Sequence, residues 1–178
     1  MALRKAAAYS KTKDRPYTRR SRKKSKSYIK TIPQHKIVKF RMGNLKAFRD
    51  GKYKFVLKLK SKEFVQVRDN ALEACRQAVH RYLDKEIPGV YYFEVKKFPH
   101  QIIRENRVFS GGSKGERVNT GMKQSFGTAI GRSAFINPGD DVFIIAIGEE
   151  KFIPLVRSVI DKVRPKLPCK TKVITIKN

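Results

Sequence analysis

The sequence has few of the residues that metal sites, disulfides and membrane spans require. Its two cysteines, Cys75 and Cys169, lie far apart and form no CxxC pair, so we expect no disulfide framework. The three histidines, His35, His80 and His100, are scattered, and we predict neither a metal site nor a cofactor. No stretch reaches the ~20 apolar residues of a membrane-spanning helix, and the first residues lack the apolar core of a secretory signal. We therefore expect a cytosolic protein in a reducing compartment, with no membrane partner.

Acidic residues are scarce as well. The 178 residues include 42 Lys and Arg but only 15 Asp and Glu, which gives a formal net charge of +27. Such a surplus repels itself in an isolated fold and indicates a polyanionic partner. The simpler alternative is a solvated surface that keeps the protein soluble, but solubility requires only a modest net charge. Because 40% of the residues are hydrophobic, a globular core is still expected.

Residues 1–30 are predicted to form a basic, RNA-binding arm. They hold 12 Lys and Arg against one acid, Asp14, so they cannot bury a core of their own. On RNA, phosphate contacts and released counterions would offset the cost of ordering the arm. A nuclear-import signal or a nonspecific basic tail is the alternative. The candidate RNA-binding residues of the arm are Arg4, Lys5, Lys11, Lys13, Arg15, Tyr17, Arg19, Arg20, Arg22, Lys23, Lys24 and Lys26.

From residue 34 onwards, apolar and basic residues alternate with the period of a β-strand. The alternation predicts strands at His35–Phe40 and Lys52–Lys60, joined through the turn signal Asp50-Gly51 as in a hairpin. In the second strand one face would pack on the core and the other would be a row of lysines. The predicted core residues are Tyr53, Phe55, Leu57 and Leu59, and the predicted lysine row is Lys52, Lys54, Lys58 and Lys60.

Two helices are predicted from apolar residues at helical spacing. The first begins at a capping-box pattern, with Asn70 as N-cap and Glu73 three residues later, and ends before Pro88-Gly89. Its buried face would hold Leu72, Cys75, Val79, Tyr82 and Leu83, whereas Arg76, Gln77, His80 and Arg81 would cover the other faces. The second helix spans roughly residues 152–163, with Val156, Val159, Ile160 and Val163 on one face, and Pro165 blocks its continuation.

The remaining strand patterns complete a predicted α+β fold. They are Val90–Lys96, Gln101–Phe109, Thr128–Ile136, Asp141–Ile147 and Lys170–Ile176. Short connections between strands and helices favour a two-layer sandwich of mainly antiparallel strands with two principal helices, rather than a doubly wound parallel sheet. We expect residues 31–178 to form one domain that follows the N-terminal arm and carries a glycine-rich loop at about residues 107–123.

The glycine-rich loop does not match a nucleotide-binding motif. Gly115 and Gly121 enclose five residues instead of four, and Met122 separates Gly121 from Lys123, so the phosphate-binding geometry of a P-loop fails. No dinucleotide fingerprint or serine nucleophile motif is present either, and no feature supports an enzyme. A flexible loop without function is one alternative. The other is a loop whose glycines allow close approach to RNA while Lys114, Arg117, Asn119 and Lys123 contact it.

Several segments in consistent order resemble one family. These are Arg15-Pro-Tyr17, Ala71–Arg76, Phe98–Arg104, Thr120–Gly127 and Lys166–Lys172, the last being similar to the ending of the bacterial members. They resemble the universal large-subunit ribosomal protein sixteen family in its archaeal and eukaryotic branch, ribosomal protein L ten-e. The resemblance extends over nearly the whole chain.

The resemblance implies an α+β sandwich bound to large-subunit ribosomal RNA near the central protuberance, with neighbouring ribosomal proteins as further partners. It also implies a loop close to tRNA in the A- and P-site region, near the peptidyl-transferase centre, and a role in late subunit assembly. The matching loop residues are Arg107, Lys114, Arg117, Asn119 and Lys123. The lysine-rich strand faces would bind phosphates, and we do not expect homo-oligomers. Two alternatives are a nonspecific nucleic-acid-binding protein and an RNA-modifying enzyme.

Overall fold

A computed structural model of the chain describes residues 4–11, 23–26, 29, 31–105 and 127–177. Within these ranges the chain forms eight strands, three α-helices and three short 3-10 helices. The strands are β1 (Arg41–Gly43), β2 (Phe55–Ser61), β3 (Val65–Arg68), β4 (Tyr91–Val95), β5 (Gln101–Glu105), β6 (Thr128–Ile136), β7 (Asp141–Ile147) and β8 (Thr171–Lys177). The α-helices are α1 (Leu45–Arg49), α2 (Asp69–Glu86) and α3 (Ile153–Val163), and the 3-10 helices are Lys24–Lys26, Glu150–Phe152 and Arg164–Lys166.

The strands form two antiparallel sheets. The larger sheet has the strand order β1-β4-β7-β2-β8, and the smaller has the order β3-β6-β5. The chain crosses between the two sheets several times: β4 and β5 lie in different sheets and are joined by residues 96–100, and β6 and β7 lie in different sheets and are joined by the turn around Gly139. Two sheets with segregated helices confirm the predicted α+β class and the sandwich-type architecture.

The main core lies between helices α2 and α3 and the inner face of the five-stranded sheet. Leu57, Leu72, Phe93 and Val156 have no exposed surface, and Val67 joins this core from the smaller sheet. Burying a side chain of this size stabilises the fold by about 1.5–3 kcal/mol. The apolar faces of the two predicted helices thus hold the layers together, as expected from their spacing.

Strands and helices with strong local patterns lie where the sequence predicts them. Strands β6 and β7 have the predicted bounds, and α3 buries Val156, Val159, Ile160 and Val163. In β2, Phe55, Leu57 and Leu59 face the core, whereas Lys58 and Lys60 lie on the opposite face. Tyr53 is an exception, because it precedes the strand and packs with Val56 and Tyr92 on the outer side. The predicted strand 101–109 is β5 as far as Glu105, and its last residues lie outside the described ranges.

The predicted strand at His35–Phe40 and its hairpin are wrong. This segment forms no strand with the other described residues, because two of its amide groups find side-chain acceptors instead. The amides of Lys36 and Val38 donate to the carboxylates of Asp69 and Glu73 on α2, at 3.1 and 3.3 Å. The strand that follows is β1, which pairs with β4 instead of β2. Helix α1, which the sequence did not predict, occupies the place of the hairpin connection.

The predicted capping box of the first helix is also wrong. The helix begins at Asp69, and its N-cap residue Arg68 makes no side-chain capping bond. Glu73 instead accepts hydrogen bonds from Arg76 at 2.6 and 2.7 Å and from Gln77 at 2.9 Å. Arg76 was predicted to lie on an outer face but is buried, because this carboxylate neutralises its charge. Tyr82, predicted to be buried, is 39% exposed and packs under the Lys162 ammonium group.

Candidate nucleic-acid interface

The outer face of the five-stranded sheet, opposite α2 and α3, carries a group of basic side chains. We call Arg41, Lys58, Lys60, Lys96 and Lys172 the outer cationic face. Strand register brings them together: Arg41 pairs with Glu94, Glu94 pairs with Ile144, and Ile144 pairs with Lys58. One step further along β2, Lys60 lies directly opposite Lys172 of β8.

Two carboxylates lie among these five cations. Asp141 is 3.5 Å from the Lys60 ammonium and 4.0 Å from that of Lys58, and Glu94 is 3.1 Å from Lys96 and 3.4 Å from Arg41. Burial alone would raise the pKa of Glu94, but hydrogen bonds from Lys96 and Tyr92 outweigh it and lower the pKa below its usual value. Both carboxylates are therefore already shared between cations, which leaves the face with excess positive charge.

Two of the cations on this face repel each other, because Lys60 and Lys172 lie directly opposite on neighbouring strands. Like charges directly opposite each other on neighbouring strands destabilise a sheet by roughly 0.2–1 kcal/mol, and Lys60 and Lys172 are such a pair. A row of phosphates would relieve this repulsion and would release counterions on binding. The arrangement therefore fits a polyanion better than it fits a free solvated surface.

The other half of the outer face is apolar and covered by α1. Val56, Tyr92, Ile144 and Ala146 form a second buried cluster there, and the Phe48 ring stacks on Tyr92 with centroids 4.1 Å apart. Helix α1 forms because Asn44 caps it by accepting a hydrogen bond from the Ala47 amide at 3.0 Å. The helix thus shields the apolar half of the face and leaves the cationic half open.

Residues 4–11 of the predicted arm contact the smaller sheet. The buried Arg68 guanidinium on β3 donates to the main-chain carbonyls of Arg4 and Lys5, at 2.8 and 2.7 Å. The Gln66 amide of β3 also donates to the carbonyl of Ser10, at 3.0 Å. Residues 4–11 thus have a defined position on the smaller sheet.

The Arg4 side chain contacts two other residues of the protein, Glu105 and Tyr9. It forms an ion pair with Glu105 at the end of β5, and a hydrogen bond from Arg4 lowers the pKa of the Glu105 carboxyl. The Arg4 guanidinium also lies 5.5 Å from the centre of the Tyr9 ring. The fold therefore already engages the charge of Arg4, one of the predicted RNA-binding residues.

The structure places only part of the predicted binding residues. Four of the lysines are described and exposed: Lys5, Lys11, Lys23 and Lys26. Lys23 also interacts with another group of the protein. Lys24 lies in a short 3-10 helix. The remaining candidates lie outside the described residues: Lys13, Arg15, Tyr17, Arg19, Arg20, Arg22, Arg107, Lys114, Arg117, Asn119 and Lys123.

Sequence reasoning found Lys58 and Lys60 but missed the rest of the outer cationic face. Lys172 lies in a strand that the sequence did predict, and its alternation with Val173 could have indicated an outward side chain. Arg41 and Lys96 gave no local signal, because only the pairing of β1 with β4 brings them next to Glu94.

Other kinds of site find no support in the described part of the chain. There, no three His, Cys, Asp or Glu side chains converge closely enough to hold a metal ion. Cys75 and Cys169 are free thiols, and burial raises the pKa of Cys75 to about 12, so it is a packing residue and a poor nucleophile. None of the helices within these ranges has the length and apolar composition that crossing a bilayer requires.

A basic patch on one face of a sheet is a feature of nucleic-acid-binding proteins. Comparison with known proteins narrows this class. Residues 13–174 match the family model described as ribosomal protein L16p/L10e. The chain is 34% identical over 178 residues to a protein of Methanococcus maripaludis, with 99% of this chain and 96% of the relative covered. It is 37% identical over 177 residues to one of Halobacterium salinarum, with coverages of 97% and 95%.

The chain belongs to the ribosomal protein L16p/L10e family. Both relatives carry the name large ribosomal subunit protein uL16. The family is one of ribosomal proteins and not of enzymes, in agreement with the sequence prediction. The RNA-modifying alternative is thereby set aside.

Proposed function

We propose that this protein is a structural constituent of the large ribosomal subunit that binds large-subunit ribosomal RNA through two surfaces. One is the outer cationic face, and the other is the basic arm. Contacts between basic side chains and phosphates fix the position of a protein on its nucleic acid, but they carry little information about the base sequence. Neighbouring ribosomal proteins are the second class of partner, and the protein acts as one copy.

The observation that carries this proposal is the opposed pair Lys60 and Lys172 beside a single shared carboxylate. Side chains of Lys58 and Lys60 are 29% and 32% exposed, so their stems are packed while their ammonium groups reach the surface. Lysines whose stems are packed lose less side-chain entropy on binding phosphates than freely moving lysines do.

The first test follows the protein in a lysate through a sucrose gradient at moderate and high salt. Migration with large subunits after a high-salt wash is expected, because nonspecific electrostatic binding weakens steeply with salt. Release into the light fractions at modest salt would instead indicate a loosely bound factor and would contradict an integrated role.

The second test replaces Lys58, Lys60 and Lys172 by glutamine and measures binding to large-subunit RNA across a salt series. Each lost phosphate contact should lower the slope of log affinity against log salt by about 0.7–0.9, so the triple variant should lose about 2–3. The matched control replaces Lys85, Lys162 and Lys166 by glutamine, which removes the same amount of charge from the helical side. Equal losses in both triple variants would show that net charge, and not this face, determines binding.

For the loop at about residues 107–123 we propose a position close to tRNA, together with a role in late assembly of the subunit. The support is the family resemblance of the segment Thr120–Gly127 and the cations Arg117 and Lys123. Glycines in such a loop permit close approach of its backbone to a ligand. The loop would position tRNA without reacting with it.

The test combines Arg117→Ala with Lys123→Ala in subunits that carry no other copy of the protein. Slower settling of A-site tRNA is expected, whereas the melting temperature of the isolated variant should change by no more than about 2–4 °C, the shift that 1 kcal/mol causes in a chain of this size. Normal translation with both residues replaced would refute the proposed role of the loop.

A further inference from the structure

Three aromatic rings meet at the surface where the segment before β1 reaches the end of β4. The ring centroids of His35 and Phe98 are 5.0 Å apart, those of Phe40 and Phe98 are 5.5 Å apart, and those of His35 and Phe40 are 5.7 Å apart. We call these three residues the ring cluster. Phe98 remains 46% exposed although two rings contact it. Burial in the core therefore does not account for this residue.

The backbone around the ring cluster is fixed by the fold. The Val95 amide donates to the Phe40 carbonyl at 2.8 Å, and the Lys96 amide donates to the Val142 carbonyl at 3.0 Å. Lys97 forms an ion pair with Asp140, and Pro99 on the other side of Phe98 is buried. Because its surroundings hold Phe98 in place, a ligand could stack on the ring with little loss of side-chain or backbone entropy.

The charge around the ring cluster is positive. Residues 31–49 contain five Lys and Arg and no acid, and residues 95–104 contain three and no acid. Each ring has a lysine next to it in sequence: Lys36 follows His35, Lys39 precedes Phe40, and Lys97 precedes Phe98. Asp69 and Glu73 are buried and already bonded to amides of the first segment. Glu94 is shared between Arg41 and Lys96, and Asp140 pairs with Lys97, whereas Lys36 and Lys39 are exposed.

We propose that the ring cluster is a stacking site for an unpaired nucleobase of RNA, with Phe98 as the platform. The inference rests on the proposed function, since it requires an RNA partner, and it adds a contact to a base where the outer cationic face contacts only phosphates. An exposed aromatic ring beside cations is the combination that binds single-stranded RNA, because every base has a stacking face and every nucleotide a charge.

A protein partner fits the same surface less well. An apolar anchor placed over Phe98 would bring neighbouring lysines such as Lys39 out of water without a counter-charge, which is costly. An RNA strand supplies the apolar face and the counter-charge together. The base is therefore the ligand that the chemistry of this surface favours.

The chain contains a matched control for the experiment. Phe64 is 41% exposed and stacks on a single ring, Phe135, with centroids 5.6 Å apart. It is preceded by the acidic residue Glu63, whereas Phe98 is preceded by Lys97. The variants Phe98→Ala and Phe64→Ala thus remove the same side chain at similar exposure from different surroundings. Phe98→Leu keeps an apolar side chain of similar size and removes only the ring.

The full-length protein is titrated with two probes, a short single-stranded oligoadenylate and an oligomer with the same phosphates but no bases. We expect Phe98→Ala and Phe98→Leu to weaken oligoadenylate binding by about 5- to 150-fold, the range for one lost stack, and to leave binding of the base-free oligomer within about twofold. Phe64→Ala should change neither affinity. One adenine of the probe can be replaced by fluorescent 2-aminopurine, whose emission stacking quenches, because the chain has no tryptophan to interfere.

Each other outcome overturns the inference in a recognisable way. If the wild type binds both probes equally, the protein has no base contact, although the phosphate-binding function stands. If Phe98→Ala weakens both probes alike, the ring acts through the fold or the charge. If it weakens neither probe but loosens the protein from salt-washed subunits, the ring cluster binds a protein neighbour. If the wild type neither binds RNA nor migrates with large subunits, the proposed function fails together with the inference.

Discussion

The two faces of the five-stranded sheet are made from the same strands but have opposite chemistry. Leu57 and Leu59 of β2 point towards the helices and have almost no exposed surface, whereas Lys58 and Lys60 between and beside them reach solvent. In β4, Phe93 is buried between two residues of the outer side, Tyr92 and Glu94. Because successive side chains of a strand point to opposite sides of the sheet, residues of the stabilising face and of the binding face are direct neighbours in sequence.

This difference explains how a chain with a net charge of +27 keeps a stable fold. The inner face contributes apolar burial, which does not depend on charge, while the outer face concentrates positive charge that its two carboxylates neutralise only in part. Mutations on the two faces should therefore separate stability from binding. The predictions below test that separation, beginning with the largest effect.

Phe93→Ala should cause the largest loss, because it opens a cavity in the inner face. We expect the free energy of unfolding to fall by about 3–5 kcal/mol in urea titrations. Ile174→Ala, on the half-buried outer face beside Lys58, should cost clearly less. The RNA affinity of the molecules that remain folded should be unchanged in Phe93→Ala. A specific loss of affinity there would show that the faces are coupled.

Glu73→Gln tests the buried ion pair between Glu73 and Arg76 on helix α2. Its carboxylate holds the buried Arg76 guanidinium, which also contacts the Met42 sulfur at 3.2 Å. Removing one partner of a buried pair typically costs about 3–5 kcal/mol, and we expect a value near the lower end because glutamine retains hydrogen bonds. Glu86→Gln, at the exposed end of the same helix, is the control and should be nearly neutral.

The same variant has a characteristic pH dependence. Burial would raise the pKa of Glu73, but hydrogen bonds from Arg76 and Gln77 outweigh it and lower the pKa in the folded state. The carboxylate therefore contributes stability above its unfolded pKa of about 4.3, and this contribution is lost as the pH falls through the lower folded value. Urea midpoints of the wild type and Glu73→Gln should differ most near neutral pH and converge below about pH 4. A constant difference across this range would contradict the assigned charge state.

Lys172→Glu should give the smallest change in stability, and its sign is informative. Opposite Lys60, a glutamate would replace cross-strand repulsion by attraction and stabilise the isolated protein by roughly 0.2–1 kcal/mol. The same change should weaken binding to large-subunit RNA. Thermal unfolding and a salt series on one preparation would measure both effects. Stability and affinity moving in the same direction would argue against Lys172 as part of the binding face.

Local patterns predicted the elements but not their partners. Strands β6 and β7 and helix α3 followed from alternation and helical spacing, since those signals lie within a few residues. The segment His35–Phe40 has the alternation of a strand, but its amides bond to carboxylates that lie more than 30 residues away. Because period-2 patterning does not specify a partner, the predicted hairpin was wrong.

The candidate interface was predictable in the same partial way. The composition indicated a polyanion, and the alternation in β2 indicated Lys58 and Lys60. The contribution of Arg41 depends on the pairing of β1 with β4, and the burial of Arg76 depends on a carboxylate one helical turn away. Arg4 could not be distinguished from the other cations of the arm, because its partner Glu105 is 101 residues distant.

The sequence separation between Arg4 and Glu105 also determines the order in which contacts form during synthesis of the chain. The carbonyls of Arg4 and Lys5 bind Arg68, which is 64 and 63 residues further along, and the Arg4 side chain binds Glu105. Ribosomes synthesise a chain from its N-terminus, so residues 4–11 emerge long before either of these contacts exists. Their position on the domain is completed only after β5 has been synthesised and paired with β6. At this end of the protein, the residues translated first are among the last to take their final place.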